Sequence, residues 1–262
     1  MNTRAYRVAS LVVTALMAAN VNAIAEEGNA TVSWSTGIEY ASGTYGGTVD
    51  IEDFYVPIIA RIGFERVSFE LTVPYLSVRA PTGTVLPEPG EEPVFGSGPI
   101  TTESGLGDLI AGLTLYDVFY SAERNIALDL TGKIKFGTAD ETKGLGTGEQ
   151  DYTFRADLFK FFERFTLLGS AGYKFRGDPP GLDLKNVLLG SVGGVYAMTE
   201  KSRFGLIYDY RESALADGDA VSELSAFVSR SLTDSWQIQF YAFTGFSDSS
   251  ADWGAGILVH II

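Results

Sequence analysis

The segment IALDLTGKIKFG at residues 126–137 decides the fold, because apolar and polar side chains alternate along it. The apolar set is Ile126, Leu128, Leu130, Ile134 and Phe136, and the polar set is Asp129, Thr131, Lys133 and Lys135. A repeat of two residues is the period of a β-strand that has one apolar face and one polar face. The segment therefore predicts a strand that lies between two different environments.

The same alternation recurs along the chain and predicts about twelve strands. No apolar run after the N-terminal segment is long enough for a membrane-spanning helix, and no long segment has the 3.6-residue period of an amphipathic helix. The predicted strands are residues 31–41, 51–62, 66–78, 107–119, 126–137, 151–162, 165–176, 185–198, 202–211, 222–232, 235–246 and 252–261.

The connections between these strands alternate in length. The tight ones are 63–65, 120–125, 163–164, 199–201 and 233–234, and the longer ones, rich in Gly, Pro and acidic residues, include 80–106, 138–150, 177–184 and 214–221. Short periplasmic turns and longer external loops are typical of an outer-membrane barrel with an even number of strands and both termini in the periplasm.

A soluble β-sandwich or small-ligand barrel has the same period, with its apolar face buried instead. Two features favour the membrane. The strands are as long as a tilted bilayer crossing requires, whereas soluble strands are shorter, and aromatic residues gather at strand ends as two interfacial girdles. The predicted fold is all-β, a transmembrane antiparallel up-and-down β-barrel of about twelve strands, which satisfies every backbone group within lipid.

The first 25 residues have the pattern of a Sec signal peptide. Arg4 and Arg7 precede a short apolar stretch, and the segment Ala23–Ile24–Ala25 is a small-residue cleavage signal. We therefore expect export, a signal peptide over residues 1–25 and a barrel over residues 26–262 in the bacterial outer membrane.

Composition limits the function classes. The chain carries a net charge of −14, which disfavours nucleic acid as a partner. It has no cysteine and one histidine, His260, on the polar face of the last strand. A zinc site is thus disfavoured, and so is a hydrolase, which would need a base beside a serine. We predict no enzyme, no catalytic residue, no metal and no cofactor.

Four segments carry a family resemblance. They are SGLGDLIAGLTLY (104–116), ALDLTGKIKFGTAD (127–140), GTGEQDYTFRADL (146–158) and SAGYKFRGD (170–178). Together they resemble the outer-membrane transporter family named for the meta-pathway of phenol degradation, over roughly residues 104–262. The resemblance implies passage of aromatic or other small apolar compounds. The chain departs from many outer-membrane barrels at its end, where Ile262 replaces the terminal Phe or Trp read by the assembly machinery.

Charged residues on the polar faces are candidates for the lumen lining. The candidates are Lys133, Lys135, Arg155, Asp157, Lys174, Arg176, Asp209 and Arg211. We expect the acids and bases to pair across strands and fill the interior. The alternative is a basic ladder on one wall that attracts anions and sets selectivity.

Two prolines and one loop depart from the strand pattern. Pro57 and Pro74 fall inside strands, where each removes a ladder donor, and the strand count places them nearly opposite. A shared bulge is the simpler interpretation, and a lateral opening toward lipid is the sharper one. The Pro/Gly/acid loop 81–99 is expected to be flexible external surface, with a plug or lid over the mouth as the alternative.

The function predicted from these features is passive passage of small molecules across the outer membrane, including aromatic or apolar compounds. The expected partners are outer-membrane lipid, the outer-membrane assembly machinery and a small-molecule solute. The alternative is a closed structural or adhesive barrel without transport. Against that alternative, the polar faces carry many Gly, Ser and Thr residues, which leave space in the lumen.

Overall fold

The computed structural model describes residues 30–262, so the predicted signal peptide lies outside the described residues. The described chain is built from antiparallel strands. Their bounds are β1 Thr31–Gly43, β2 Ile51–Gly63, β3 Val67–Pro81, β4 Ile100–Leu106, β5 Ile110–Ser121, β6 Ile126–Lys135, β7 Asp151–Phe161, β8 Phe165–Phe175, β9 Val187–Ala197, β10 Ser202–Arg211, β11 Val221–Ser231, β12 Trp236–Gly245 and β13 Trp253–Ile261.

These strands form one closed barrel. Apart from β4 and β5, which do not pair with each other, each strand pairs with its sequence neighbours, and β1 pairs with β13 to close the wall. β4 and β5 both pair with β3, β4 along its outer half and β5 along its inner half, so together they occupy one position in the wall. The wall therefore has twelve positions, which confirms the predicted fold class. Among residues 30–262, no helix has the length and hydrophobicity to cross a membrane.

The alternating residues of β6 show how the barrel is oriented. Leu130 and Ile134 are exposed on the outside, whereas Asp129 and Lys135 are almost completely buried on the inside. A soluble β-protein would bury the apolar set instead. The outer surface is thus apolar, and exposed aromatic side chains lie at the ends of its strands, among them Phe119, Phe162, Phe165 and Trp236 at one rim and Phe175, Tyr210 and Trp253 at the other.

The fourth wall position differs from the prediction. Residues 100–106 were expected to belong to a loop, but they form β4, and a break at residues 107–109 separates it from β5. Across this break the register against β3 shifts by one residue, between the pairs Thr72–Ile110 and Tyr75–Leu106.

Pro74 lies opposite this break and accounts for it. Pro57 and Pro74 are direct partners in the β2–β3 ladder, which runs on without a register shift, so the predicted shared bulge between them is wrong. Because neither proline has an N–H, each leaves its ladder incomplete on its other side. Ladder pairing is missing beside Pro57 between the pairs Thr36–Ile58 and Glu39–Tyr55. Beside Pro74 it is missing at residues 107–109, where one backbone hydrogen bond of 2.9 Å remains, from the Gly107 amide to the Pro74 oxygen.

The inner wall also carries aromatic side chains, and glycines on neighbouring strands make room for them. Phe227 lies over Gly205, and Tyr241 lies over Gly256, so that a Cβ at either glycine would overlap the ring. These rings join a buried apolar cluster that occupies the inner wall of β6–β13, with members that include Phe159, Val195, Ile207, Phe243 and Leu258.

Candidate functional site

Residues 82–99, which connect β3 to β4, enter the barrel and are called the plug loop below. Val85 and Val94 exchange two backbone hydrogen bonds of 2.9 and 2.8 Å, which makes residues 86–93 a narrow hairpin. Leu86, Glu91 and Glu92 are buried. The prediction of flexible external surface is therefore wrong, and the plug considered as its alternative is present.

The tip of the plug loop binds to basic residues at the outer end of β8. Glu91 places one carboxylate oxygen 2.7 Å from Lys174 Nζ and the other 2.9 Å from Arg176 Nη1. Glu88 forms a further ion pair with Lys174. Burial acts to raise the pKa of Glu91, but the positive charges of Arg176 and Lys174 outweigh it and hold this pKa well below its ordinary value.

Lys135, the last residue of β6, binds the plug loop. Its Nζ donates to the backbone oxygen of Pro87 at 3.2 Å and to Thr147 Oγ1 at 3.0 Å. The same Nζ lies 3.2 Å from carboxylate oxygens of both Asp108 and Asp151. All four contacts converge on one almost completely buried ammonium, so Lys135 joins the plug loop, the β6–β7 loop and the wall.

The opposite side of the plug loop is fixed to the β10–β11 loop. One oxygen of Glu92 accepts hydrogen bonds from Ser213 Oγ at 2.8 Å, from the Ala214 amide at 2.5 Å and from the Leu215 amide at 3.2 Å. Arg211 donates to the backbone oxygen of Gly90 at 3.1 Å. The plug loop is thus attached to both sides of the lumen through polar contacts.

A cavity of about 160 Å³ lies against the tip of the plug loop. Its lining brings together most of the charged residues that the sequence singled out. These are Lys133, Lys135, Arg155, Lys174, Asp209 and Arg211. Asp157 lies beside the cavity and accepts two hydrogen bonds from Arg155, of 3.0 and 2.8 Å, and Arg176 lies on Glu91.

The predicted cross-strand pairing is present only in part, because Lys135 pairs with Asp151, its direct partner on β7, at 3.2 Å. The other pairs differ from this pattern. Arg155 and Asp157 lie on the same strand, and the partners of Lys174 and Arg176 come mainly from the plug loop. The sequence interpretation also missed acids on the other side of the cavity, where Glu39 and Glu223 contribute to the lining. Glu39 accepts a hydrogen bond of 2.5 Å from Tyr241. The signal for both acids was their position on the polar face of a strand.

The cross-strand registers place several of these residues in one continuous row. Asp129 pairs with Asp157, and the row runs on through Ser170, Ser191, Asp209 and Glu223. The neighbouring rows toward the periplasm are apolar and contain Phe159, Ile207 and Phe243 in one and Val195, Phe227 and Tyr241 in the other. Between β6 and β13 the lumen wall therefore changes from a charged outer half to a mainly aromatic and aliphatic inner half, while Arg61 and Glu70 form an ion pair on the inner half of β2 and β3.

His260 has a serine partner that the sequence interpretation did not foresee. Its Nδ1 lies 2.8 Å from Ser35 Oγ, because the two residues are direct partners in the β1–β13 ladder. Nε2 makes no hydrogen bond within residues 30–262, so this part of the chain offers no third group of the kind that orients a hydrolase histidine. No cluster of metal-ligating side chains occurs among these residues either.

The closed twelve-position wall, the apolar outer face and the polar interior define an outer-membrane β-barrel. Residues 28–259 match the sequence profile of the family described as "Putative MetA-pathway of phenol degradation", and the chain belongs to this family, which confirms the resemblance noted in the sequence. No curated protein sequence matches the chain.

Solved structures share the fold at low sequence identity. An outer membrane channel from Pseudomonas putida F1 superposes with a TM-score of 0.69 at 12% identity, over 92% of this chain and 98% of that one. The NanC porin gives a TM-score of 0.57 at 8% identity, over 88% and 100% of the two chains. The KdgM porin gives 0.56 at 8% identity, over 88% and 98%. All three are named as channels or porins.

Proposed function

We propose that this barrel is a gated diffusion channel for small solutes, including aromatic or apolar compounds, and that the plug loop is its gate. The observation that carries the proposal is the way the plug tip is held. Residues 87–92 rest on the lumen wall mainly through ion pairs and hydrogen bonds. These groups can take water or other ions as partners when the plug loop leaves, whereas buried charges left without any partner are strongly unfavourable.

The cavity beside the plug tip suits a small aromatic solute. Its volume of about 160 Å³ is close to that of an engineered cavity of roughly 150 Å³ that binds benzene. Tyr55, Leu189 and Phe243 supply apolar surface, and hydroxyl and charged groups surround them. Apolar surface that holds the ring, with polar groups that orient it, is usual in a small-molecule site. The membership in a phenol-pathway family is consistent with this solute class.

The inner half of the lumen supports a second candidate, a closed structural or adhesive barrel. Phe159, Phe227 and Leu258 are buried there, and Gln239 and Ser225 have no exposed surface. A solute that passes the plug loop would meet this packed region. The two candidates therefore differ in whether any solute crosses when the plug loop is released.

A lateral exit would allow an apolar solute to avoid the packed inner half. We propose that Pro57 and Pro74 mark this exit, because the hydrogen-bond ladders beside both are interrupted. β4 pairs with β3 alone, and on its other edge Lys143 of the β6–β7 loop donates to the Ser104 backbone oxygen. The inner surface here is apolar, with Leu76, Leu86 and Leu145 buried together.

The proposal includes no catalysis and no cofactor. We also propose that the chain is exported through the Sec pathway and inserted by the outer-membrane assembly machinery. The last strand turns Trp253 toward the outside and His260 toward the lumen, which is the alternation that a lipid-facing C-terminal strand requires.

The test is solute permeation with and without the plug contacts. The protein is purified from outer membranes and reconstituted into liposomes, and swelling is measured with phenol, a sugar and an amino acid. In the double variant Glu88→Gln, Glu91→Gln, which removes both carboxylates from Lys174 and Arg176, phenol should enter several-fold faster than in the wild type. Glu141→Gln, on an exposed turn of the β6–β7 loop, is the matched control and should leave the rate unchanged. A double variant that folds but admits no solute would support the closed barrel instead.

A further inference from the structure

The tip of the plug loop carries carboxylates that lie in binding sites formed by the barrel wall. Each oxygen of Glu91 has its own buried base, at 2.7 Å from Lys174 and 2.9 Å from Arg176. The Arg176 guanidinium also lies 3.8 Å from Asp151 Oδ2, and Lys174 lies 3.6 Å from the same atom. Two charge-assisted contacts, one to each oxygen, are what a carboxylate needs for tight recognition.

The buried bases Lys174 and Arg176 require an anion beside them for charge balance. The contacts of Lys174 and Arg176 with Glu88 and Glu91 would be lost if the plug loop moved away, and Asp151 alone would remain beside the two bases. Asp151 is also an ion-pair partner of Lys135. An uncompensated buried charge is strongly unfavourable. Without Glu91, the two bases would therefore attract another anion, or they would attract the plug loop back.

We propose that Lys174 and Arg176 form a binding site for solute carboxylates, which Glu91 occupies while the channel is plugged. This inference rests on the proposed channel function and names its substrate class as small aromatic carboxylates. Such a solute would place its carboxylate on the two bases and its ring in the adjoining cavity of about 160 Å³. By displacing Glu91, it would release the plug loop that blocks its own entry.

The same site explains how a basic wall can exist in an acidic protein without attracting anions permanently. In the plugged state the buried bases at the end of β8 are neutralised by Glu88 and Glu91. Once the plug loop leaves, these bases face the lumen beside Arg155 and Lys133, which line the same cavity. The open channel therefore prefers anions, although the plugged one does not.

A free solute carboxylate and the tethered carboxylate of Glu91 compete for Lys174 and Arg176. A segment held by a short flexible connection has an effective concentration on the order of millimolar, so a free carboxylate must reach a similar concentration to compete. A neutral molecule with the same ring has no charge with which to displace Glu91 and should leave the plug loop in place.

Binding and conductance test the proposal separately. Benzoate and benzyl alcohol are titrated calorimetrically into the purified full barrel in detergent. Glu91→Gln should bind benzoate roughly tenfold or more tightly than the wild type, because the tethered competitor is gone. Adding Arg176→Gln to Glu91→Gln should abolish this binding, whereas adding Arg79→Gln, a base in an exposed ion pair outside the site, should not. Equal benzoate affinity in the wild type and Glu91→Gln would overturn the proposal.

In planar bilayers, benzoate at about 10 mM should raise the open probability of the wild type several-fold, and benzyl alcohol should not. Opening by both compounds would remove the carboxylate from the substrate class. If Glu91→Gln binds benzoate tightly but no variant conducts, the carboxylate site stands and the proposed channel function fails. If the variants conduct but benzoate does not bind, the channel function stands and the proposed carboxylate site fails.

Discussion

Glu91 and Arg176 form an ion pair of 2.9 Å although 85 residues separate them in the chain. One belongs to the loop between β3 and β4, and the other follows directly after β8. Their contact crosses the lumen and fixes the plug loop to a wall that is not its neighbour in the sheet. The state of the lumen therefore depends on a few charged contacts.

Plug closure should be independent of pH in the neutral range and fail only in acid. The pKa of Glu91 is held well below its ordinary value of 4.5, since Arg176, Lys174 and Arg211 together outweigh the effect of burial. A lowered pKa in the docked state stabilises docking fully above 4.5, and the stabilisation is lost as the pH falls through the lowered value.

Bilayer conductance should thus stay constant between about pH 5 and pH 8 and rise only below about pH 4.5, as protonated Glu91 leaves Lys174 and Arg176. Two other acids, Glu88 and Asp151, also face this site, so Glu91→Gln serves as the reference that is already open. A rise in wild-type conductance between pH 8 and pH 6 would contradict the role given to Glu91.

Lys135 should be far more important for stability than an exposed base of the same barrel. Lys135→Met leaves Asp108 and Asp151 buried without their ammonium, which should cost about 3–5 kcal/mol of unfolding free energy. Arg79→Met breaks an exposed pair with Glu52 and should cost at most about 1 kcal/mol.

Urea unfolding in lipid vesicles, followed by tryptophan fluorescence, measures both variants. The comparison is matched because each change replaces one base by an uncharged side chain of similar length. Equal losses in the two variants would mean that the buried cluster around Lys135 is solvated and does not organise the loops.

The fold could be predicted from the sequence because its determinants are local. Alternation within 126–137 fixes which side of β6 faces lipid, and the alternating loop lengths fix the direction of each strand. β4 was missed because its sequence, ITTESGL, is short, weakly apolar and preceded by a Pro/Gly-rich loop. Its existence depends on the free edge of β3, which no local pattern reveals.

The site was predictable only in part, for a related reason. Period-two alternation placed Lys174 and Arg155 on the inner face, but it carries no information on the register between distant strands. The plug loop was misjudged because its composition is that of a flexible loop, whereas its order comes from contacts of Glu91 and Glu92 with residues more than eighty positions away. Such contacts are tertiary and leave no trace in the local sequence.

Restoring backbone donors at the two prolines should close the proposed lateral exit. The double variant Pro57→Thr, Pro74→Thr supplies the missing N–H groups to β1 and to the break between β4 and β5. Uptake of an apolar aromatic solute by whole cells should fall several-fold, while the heat-modifiable band of the folded barrel on gels should be unchanged.

Pro180→Thr, at an exposed position in the β8–β9 loop, controls for the loss of proline itself. If the double variant assembles normally and takes up the solute at the wild-type rate, the exit does not lie at these prolines.

Two glycines on the inner wall should respond to alanine with opposite signs. At Gly205 an added Cβ would overlap the ring of Phe227, which is buried among apolar side chains and has little room to move. Gly205→Ala should therefore destabilise the barrel by about 1–3 kcal/mol through overpacking. At Gly112 the nearest atoms to an added Cβ, Lys133 Cγ and Glu70 Cβ, lie at 3.7 and 3.8 Å, which is ordinary contact.

Gly112→Ala should thus be neutral or stabilising by about 0.5 kcal/mol, since alanine restricts the unfolded chain more than glycine does. Both free energies come from urea unfolding in vesicles of the same lipid. Because the two variants add the same methyl group to the same inner surface, a difference in sign isolates the packing of Phe227 against Gly205. Equal effects would mean that this ring is free to turn into the lumen, and the inner half of the barrel would then be loose enough for a solute to pass.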